Sequence, residues 1–169
     1  MTDPTATKIG ARIARIEHNA HGVIYGSITV LALLLAMGHS HDGPIQTAGI
    51  LFGSIFAIVL AETFAKISSD AVASRRVFGW AEVRLGWQHS RPTLIAANVP
   101  TLLVAGAATG IYGFDVGVGL AEVAAIAMLF VYGYSIGLVI YQRVVPGLLH
   151  AAFTGGIGSA LAAVKYLLH

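Results

Sequence analysis

Long apolar runs, each closed by a short polar or Gly/Pro turn, dominate the chain. Five of them, 18–37, 45–65, 93–111, 120–141 and 147–168, are close to the roughly 20 residues that a helix needs to cross the hydrocarbon core. Ahead of the first, residues 1–17 begin polar and then set Ile9, Ile13 and Ile16 between Lys8, Arg12 and Arg15. That spacing predicts an amphipathic helix at a bilayer surface. It is not a cleavable signal sequence, because the apolar stretch runs on into a full span. Between the second and third spans, residues 66–91 interleave Asp70, Arg75, Arg76, Glu82 and Arg84 with Val72, Val77, Phe78, Trp80 and Trp87. This is the pattern of a connector lying along the membrane. The expected fold is an all-α, polytopic membrane bundle of about five transmembrane helices forming a single membrane domain, 18–169.

Composition agrees with this reading and narrows it. Of the 169 residues 56% are hydrophobic and 11% charged, against roughly 25% charged in an average soluble domain. Eighteen charges do not make a water-soluble surface for a chain of this size, which excludes a soluble enzyme or a nucleic-acid binder. The net charge of +2 reflects few acids rather than a basic patch. The absence of cysteine excludes disulfides and thiolate metal sites.

The cations are placed unevenly. Lys8, Arg12, Arg15, Lys66, Arg75, Arg76, Arg84, Arg91 and Arg143 share one side of the five-span topology, and Lys165 alone lies toward the other. The positive-inside rule then predicts a cytoplasmic N-terminus, a cytoplasmic 66–91 connector and an external C-terminus. It implies a multi-pass integral membrane protein, of the plasma or inner membrane if the source is bacterial.

Gly-x-x-x-Gly spacings occur at Gly22/Gly26, Gly49/Gly53, Gly106/Gly110 and Gly133/Gly137. Small residues let membrane helices approach closely. The expected partners are therefore the lipid bilayer and either a second copy of the chain, as a homo-oligomer, or another membrane protein; no nucleic acid is expected.

An ionisable group at membrane depth is costly and so is expected to face the interior, to be paired or to lie near an interface. Glu17, His18 and His21 gather at the inner end of the first span, with Glu62 in the second, Asp70 beyond it, Asn98 in the third and His150 opening the fifth. Glu17 and His21 are i,i+4 neighbours, and His18 and His21 are i,i+3. Imidazole and carboxylate together suit Fe²⁺, Mn²⁺ or Zn²⁺, so Glu17, His18, His21, Glu62 and Asp70 are the candidate inner-side ligands or relays. The competing reading is headgroup-level solvation, with Glu62 in an i,i+4 pair with Lys66 that is extended by Lys66 and Asp70. On the outer side His39, His41 and Asp42, with Asp115, Glu122 and His169 as neighbours, form a candidate metal-capturing or pH-sensitive rim. The hydroxyls of Tyr25, Ser27, Thr29, Tyr132, Tyr134 and Ser135 are expected to bond between helices. No phosphate loop, nucleophile elbow or dinucleotide fingerprint is present in the sequence, so catalysis has no motif behind it and no cofactor is implied.

The layout resembles the vacuolar iron transporter family. That family's first helix carries a segment of the form Y-G-x-N-D-G-[IL]-V-[ST]-T, on which residues 21–30 can be laid with Gly22 and Gly26 matching and Tyr25 at the acidic position. The stretch 68–75, Ser-Ser-Asp-Ala-Val-Ala-Ser-Arg, is similar in flavour to the small, acid-containing end of that family's second helix. The resemblance implies divalent metal transport, with the metal ion as substrate. The alternative class is a non-transporting membrane subunit that packs on a partner through its glycine faces.

Overall fold

The computed structural model describes residues 4–37, 43–74 and 80–168, with side chains described for 19–37, 43–73, 80, 84, 87 and 91–167. Five α-helices carry the fold: α1 (Pro4–Met37), α2 (Pro44–Ser74), α3 (Trp80–Gly106), α4 (Phe114–Tyr141) and α5 (Val144–Leu168). Each contains a stretch long and apolar enough to cross a membrane, Asn19–Met37 in α1 and, for α3, Arg91–Thr109 running on through the short 3₁₀ turn that follows it. A bilayer offers no hydrogen bonds to exposed peptide groups, so helices that satisfy their own backbone are the form these apolar runs must take.

The helices run farther than the hydropathy spans. The N-terminal amphipathic segment and the first span form one unbroken helix from Pro4, and α2 continues past residue 65 to Ser74. Within the expected 66–91 connector, residues 66–74 are the end of α2 and residues 80–91 the start of α3, while 75–79 lie outside the described residues. Prolines open α1 and α2 at their first position, where the missing N–H is no loss. Pro100, inside α3, deprives the Ala96 carbonyl of its usual donor. One residue on, the Thr101 hydroxyl donates back to the Ala97 carbonyl at 2.8 Å.

Two turns depend on left-handed backbone. Gly110 ends the 3₁₀ turn after α3 with φ +78, and Gln142 caps α4 with φ 49 while its N–H donates to the Leu138 carbonyl at 2.9 Å. An L-residue with a Cβ is strained there by about 1–2 kcal/mol. Gly110→Ala is accordingly expected to destabilise the protein by about 1 kcal/mol, read as a lowered melting temperature in detergent, with Gly110→Asn milder.

α1 is the central helix and touches all four others; α2 packs mainly on α3, and α5 mainly on α4. The core joins Val30, Leu31 and Leu34 of α1 to Leu51, Ile55 and Val59 of α2, Ala97 and Val104 of α3, and Ala121, Ala125 and Leu129 of α4. Large apolar side chains also cover the outside, among them Phe64, Leu102, Val131, Leu148 and Phe153. Helices that are apolar on every side are what a lipid solvent selects.

Glycine sets the helix spacing inside this bundle. A Cβ at Gly22 would stand 2.8 Å from Pro92 Cβ and 2.9 Å from the Thr93 nitrogen, and one at Gly26 2.9 Å from the Thr93 carbonyl oxygen. On the other side, a Cβ at Gly137 would stand 2.7 Å from Gly147 Cα, and one at Gly133 would run into the Thr154 hydroxyl. Thus Gly22/Gly26 and Gly133/Gly137 serve contacts within the chain. Gly106 is covered by Tyr112, whereas Gly49 and Gly53 face open space.

Candidate functional site

Among the described residues two acid–base pairs join different helices near opposite ends of the bundle, one at its margin and one buried within it. The first joins α1 to α2. His21 Nε2 lies 3.6 Å from Glu62 Oε1, with the His21 side chain largely exposed and that of Glu62 only 24% exposed. The His21 ring is parallel to that of Tyr25, one turn on, with centroids 6.1 Å apart. The second carboxylate oxygen, Glu62 Oε2, is buried without a hydrogen-bond partner among the described residues, and so is the hydroxyl of Thr93. Thr93 is held against Gly22, the neighbour of His21, so one corner of α1, α2 and α3 collects an imidazole, a carboxylate and a buried hydroxyl.

The second pair joins α4 to α5. Lys165 Nζ donates to Glu122 Oε1 at 2.5 Å, and the Tyr166 hydroxyl donates to Glu122 Oε2 at 3.4 Å. Both side chains are almost completely buried, at 8% and 6% exposure. Leu31 of α1 meets Gly158 of α5 and these two helices run parallel, so the 1.5 Å rise per residue separates the two pairs by roughly 25 Å along the bundle.

The remaining expected site residues are distributed differently. Asp70 lies two turns beyond Glu62 and pairs with Lys66 at 4.0 Å, both exposed. Glu62 thus pairs with His21 rather than with Lys66, while the anticipated extension from Lys66 to Asp70 is present. Glu17 and His18 belong to α1, but their side chains, like His39, His41, Asp42 and His169 of the expected outer rim, lie outside the described residues. Asp115, in the first turn of α4, is exposed. Glu122 is no rim residue, because Lys165 draws it into the α4–α5 seam. Among the described residues no three His, Asp or Glu come together as a metal-ligand group.

The hydroxyls also differ from expectation. Thr29 donates to the Tyr25 carbonyl at 2.8 Å and Ser135 to the Val131 carbonyl at 2.8 Å, both within their own helices. Ser27 reaches another helix, at Met128 Sδ, 3.9 Å away. A hydroxyl bonded one turn back satisfies itself without a partner helix.

Sequence reasoning treated Lys165 only as the exception to the charge bias and did not join it to Glu122. The available signal was one acid and one cation facing the same depth in consecutive antiparallel spans. The burial of Thr93 had no signal in the sequence.

The fold and its embedded charges define a multi-pass helical membrane protein. Comparisons with known protein families, with curated proteins and with solved structures give no match.

Proposed function

We propose that this protein handles cations across the membrane, with a divalent metal ion as cargo and the His21–Glu62 corner as its docking point. The observation that carries the reading is Glu62 Oε2, buried with no hydrogen-bond partner among the described residues, beside an imidazole nitrogen at 3.6 Å from its companion oxygen. A carboxylate oxygen inside an apolar bundle is costly unless something positive or hydrogen-bonding reaches it. Imidazole and carboxylate suit borderline divalent ions. Two such side chains, one open to the bundle exterior, fit an ion that keeps part of its water shell and leaves again, as a cargo must. The resemblance to vacuolar iron transporters points the same way, although packing against α3 accounts for Gly22 and Gly26 by itself.

The test is uptake of Mn²⁺, Fe²⁺ and Zn²⁺ into proteoliposomes. Glu62→Gln keeps the shape and removes the charge, and is expected to lower uptake at least about tenfold while the protein still purifies as a folded species, in line with the loss of one charged ligand. Unchanged uptake in this variant, or none in the wild type, overturns the reading.

A second reading, a non-transporting subunit docked to another membrane protein, is favoured by Gly49 and Gly53, which face open space on α2. Under it Gly49→Leu would abolish co-purification with a partner and Glu62→Gln would change nothing.

A further inference from the structure

The outer face of α3 carries a seam that the fold itself does not use. Ile95, Asn98 and Leu102 are all exposed, flanked by Arg91 on one side and by half-buried Ala105 and exposed Thr109 on the other. Their spacing alternates four and three residues, which is the a/d repeat of a two-helix seam. The polar member stands where lipid would otherwise be. Asn98 is the eighth residue of the apolar span Arg91–Thr109, which sets it roughly 10 Å past Arg91 at 1.5 Å per residue, within a hydrocarbon core of about 30 Å. Acyl chains offer its amide neither donor nor acceptor, and an unsatisfied amide in an apolar medium is costly.

We propose that this face of α3 is the interface with a second copy of the chain, with Asn98 bonded to Asn98 of that copy. Membrane symmetry selects this partner. Two copies inserted with the same charge bias share one orientation, so a two-fold axis relating them runs along the membrane normal and brings residues of equal depth face to face. A carboxamide is both donor and acceptor, so two Asn98 side chains at one depth satisfy each other. A single asparagine in an apolar seam also fixes register and strand number. The flanking Ile95 and Leu102, 64% and 69% exposed, supply the apolar contact on either side. This seam differs from the glycine faces that sequence spacing suggested: Gly22/Gly26 and Gly133/Gly137 are spent inside the bundle, and Gly49/Gly53, which stays open, lies on α2. It is also independent of the cation reading.

The chain has no cysteine, so single substitutions report cleanly. Ile95→Cys and Leu102→Cys are expected to form disulfide-linked dimers in native membranes under mild oxidation, while Val131→Cys on α4 and Phe153→Cys on α5, both also exposed, are not. Single-molecule photobleaching in liposomes diluted with lipid is expected to count two chains per spot for the wild type. Asn98→Leu is expected to weaken the dimer about tenfold, as loss of an interhelical hydrogen bond predicts, and Asn98→Gln to retain most of it. Wild-type chains that remain single overturn the proposal and leave the face to a different membrane protein. It is equally overturned by cross-linking at 131 or 153 in place of 95 and 102, or by an Asn98→Leu dimer as strong as the wild type.

Discussion

Lys165→Met is expected to destabilise the protein by about 3–5 kcal/mol, the cost of leaving a buried charge without its partner. The carboxylate of Glu122 is 6% exposed, with the Lys165 ammonium at 2.5 Å from one oxygen and the Tyr166 hydroxyl at 3.4 Å from the other. Removing the ammonium leaves one weak hydrogen bond on a carboxylate surrounded by helix and lipid. The fold then has to tolerate the unpaired group or draw water into the α4–α5 seam. The double variant Glu122→Met/Lys165→Met removes both charges, and buried pairs exchanged for apolar side chains of similar size are often neutral in stability. The double variant is therefore expected to recover most of the loss. Unfolding titrations of the three proteins in mixed micelles decide this. A single variant as stable as the wild type would show that the pair is solvated and carries no such cost.

Gly137→Val is expected to separate the end of α4 from the start of α5. A Cβ there would stand 2.7 Å from Gly147 Cα, 2.9 Å from His150 Cβ and 3.2 Å from the Pro146 carbonyl oxygen. Two of these neighbours are backbone atoms, which cannot rotate away as a side chain can. Overpacking of this kind costs about 1–3 kcal/mol, sometimes more, and membrane helices have only packing and hydrogen bonds to replace what is lost. The check is a cross-link between one cysteine introduced on α4 and one on α5 near the 142–143 turn, which should form with Gly137 in place and fade in Gly137→Val, since the chain has no cysteine of its own. Gly49→Val is the matched control. Among the described residues nothing lies within 4 Å of its Cβ position, so intrachain packing should not change.

The architecture was legible because lipid makes hydrophobicity itself the topological signal. Five apolar runs of spanning length predict five helices with little dependence on side-chain detail. Their limits were less legible. Lys66, Asp70 and Arg84 lower hydropathy without breaking a helix, so α2 and α3 extend past the points where their apolar runs end. Of the Gly-x-x-x-Gly spacings, Gly22/Gly26 and Gly133/Gly137 fall at close helix contacts and Gly49/Gly53 does not, and spacing cannot say whether the partner is another helix of the same chain. Gly22 meets Pro92 and Thr93, whereas Gly49 meets nothing, and only the three-dimensional arrangement separates these cases.

The candidate site was legible in part for a similar reason. His21 and Glu62 were singled out because each is ionisable near membrane depth, and the structure brings their side chains to 3.6 Å. Asp70 was selected on the same ground but lies two turns farther along α2, where Lys66 accompanies it. Helical periodicity alone allows Glu62–Lys66 and Lys66–Asp70 equally. The crossing of α1 over α2 supplied the competing partner, and a crossing between distant segments leaves no mark in local spacing.

The account rests most heavily on His21 and Glu62 holding a divalent ion. The direct measurement is the metal retained by the purified protein after equilibration with Mn²⁺, Fe²⁺ or Zn²⁺ and removal of excess, by elemental mass spectrometry on the wild type, His21→Ala and Glu62→Ala. The account predicts stoichiometric metal on the wild type and its loss in both variants, with the variants still folded. A wild type that retains no metal, or variants that retain as much as the wild type, would contradict it.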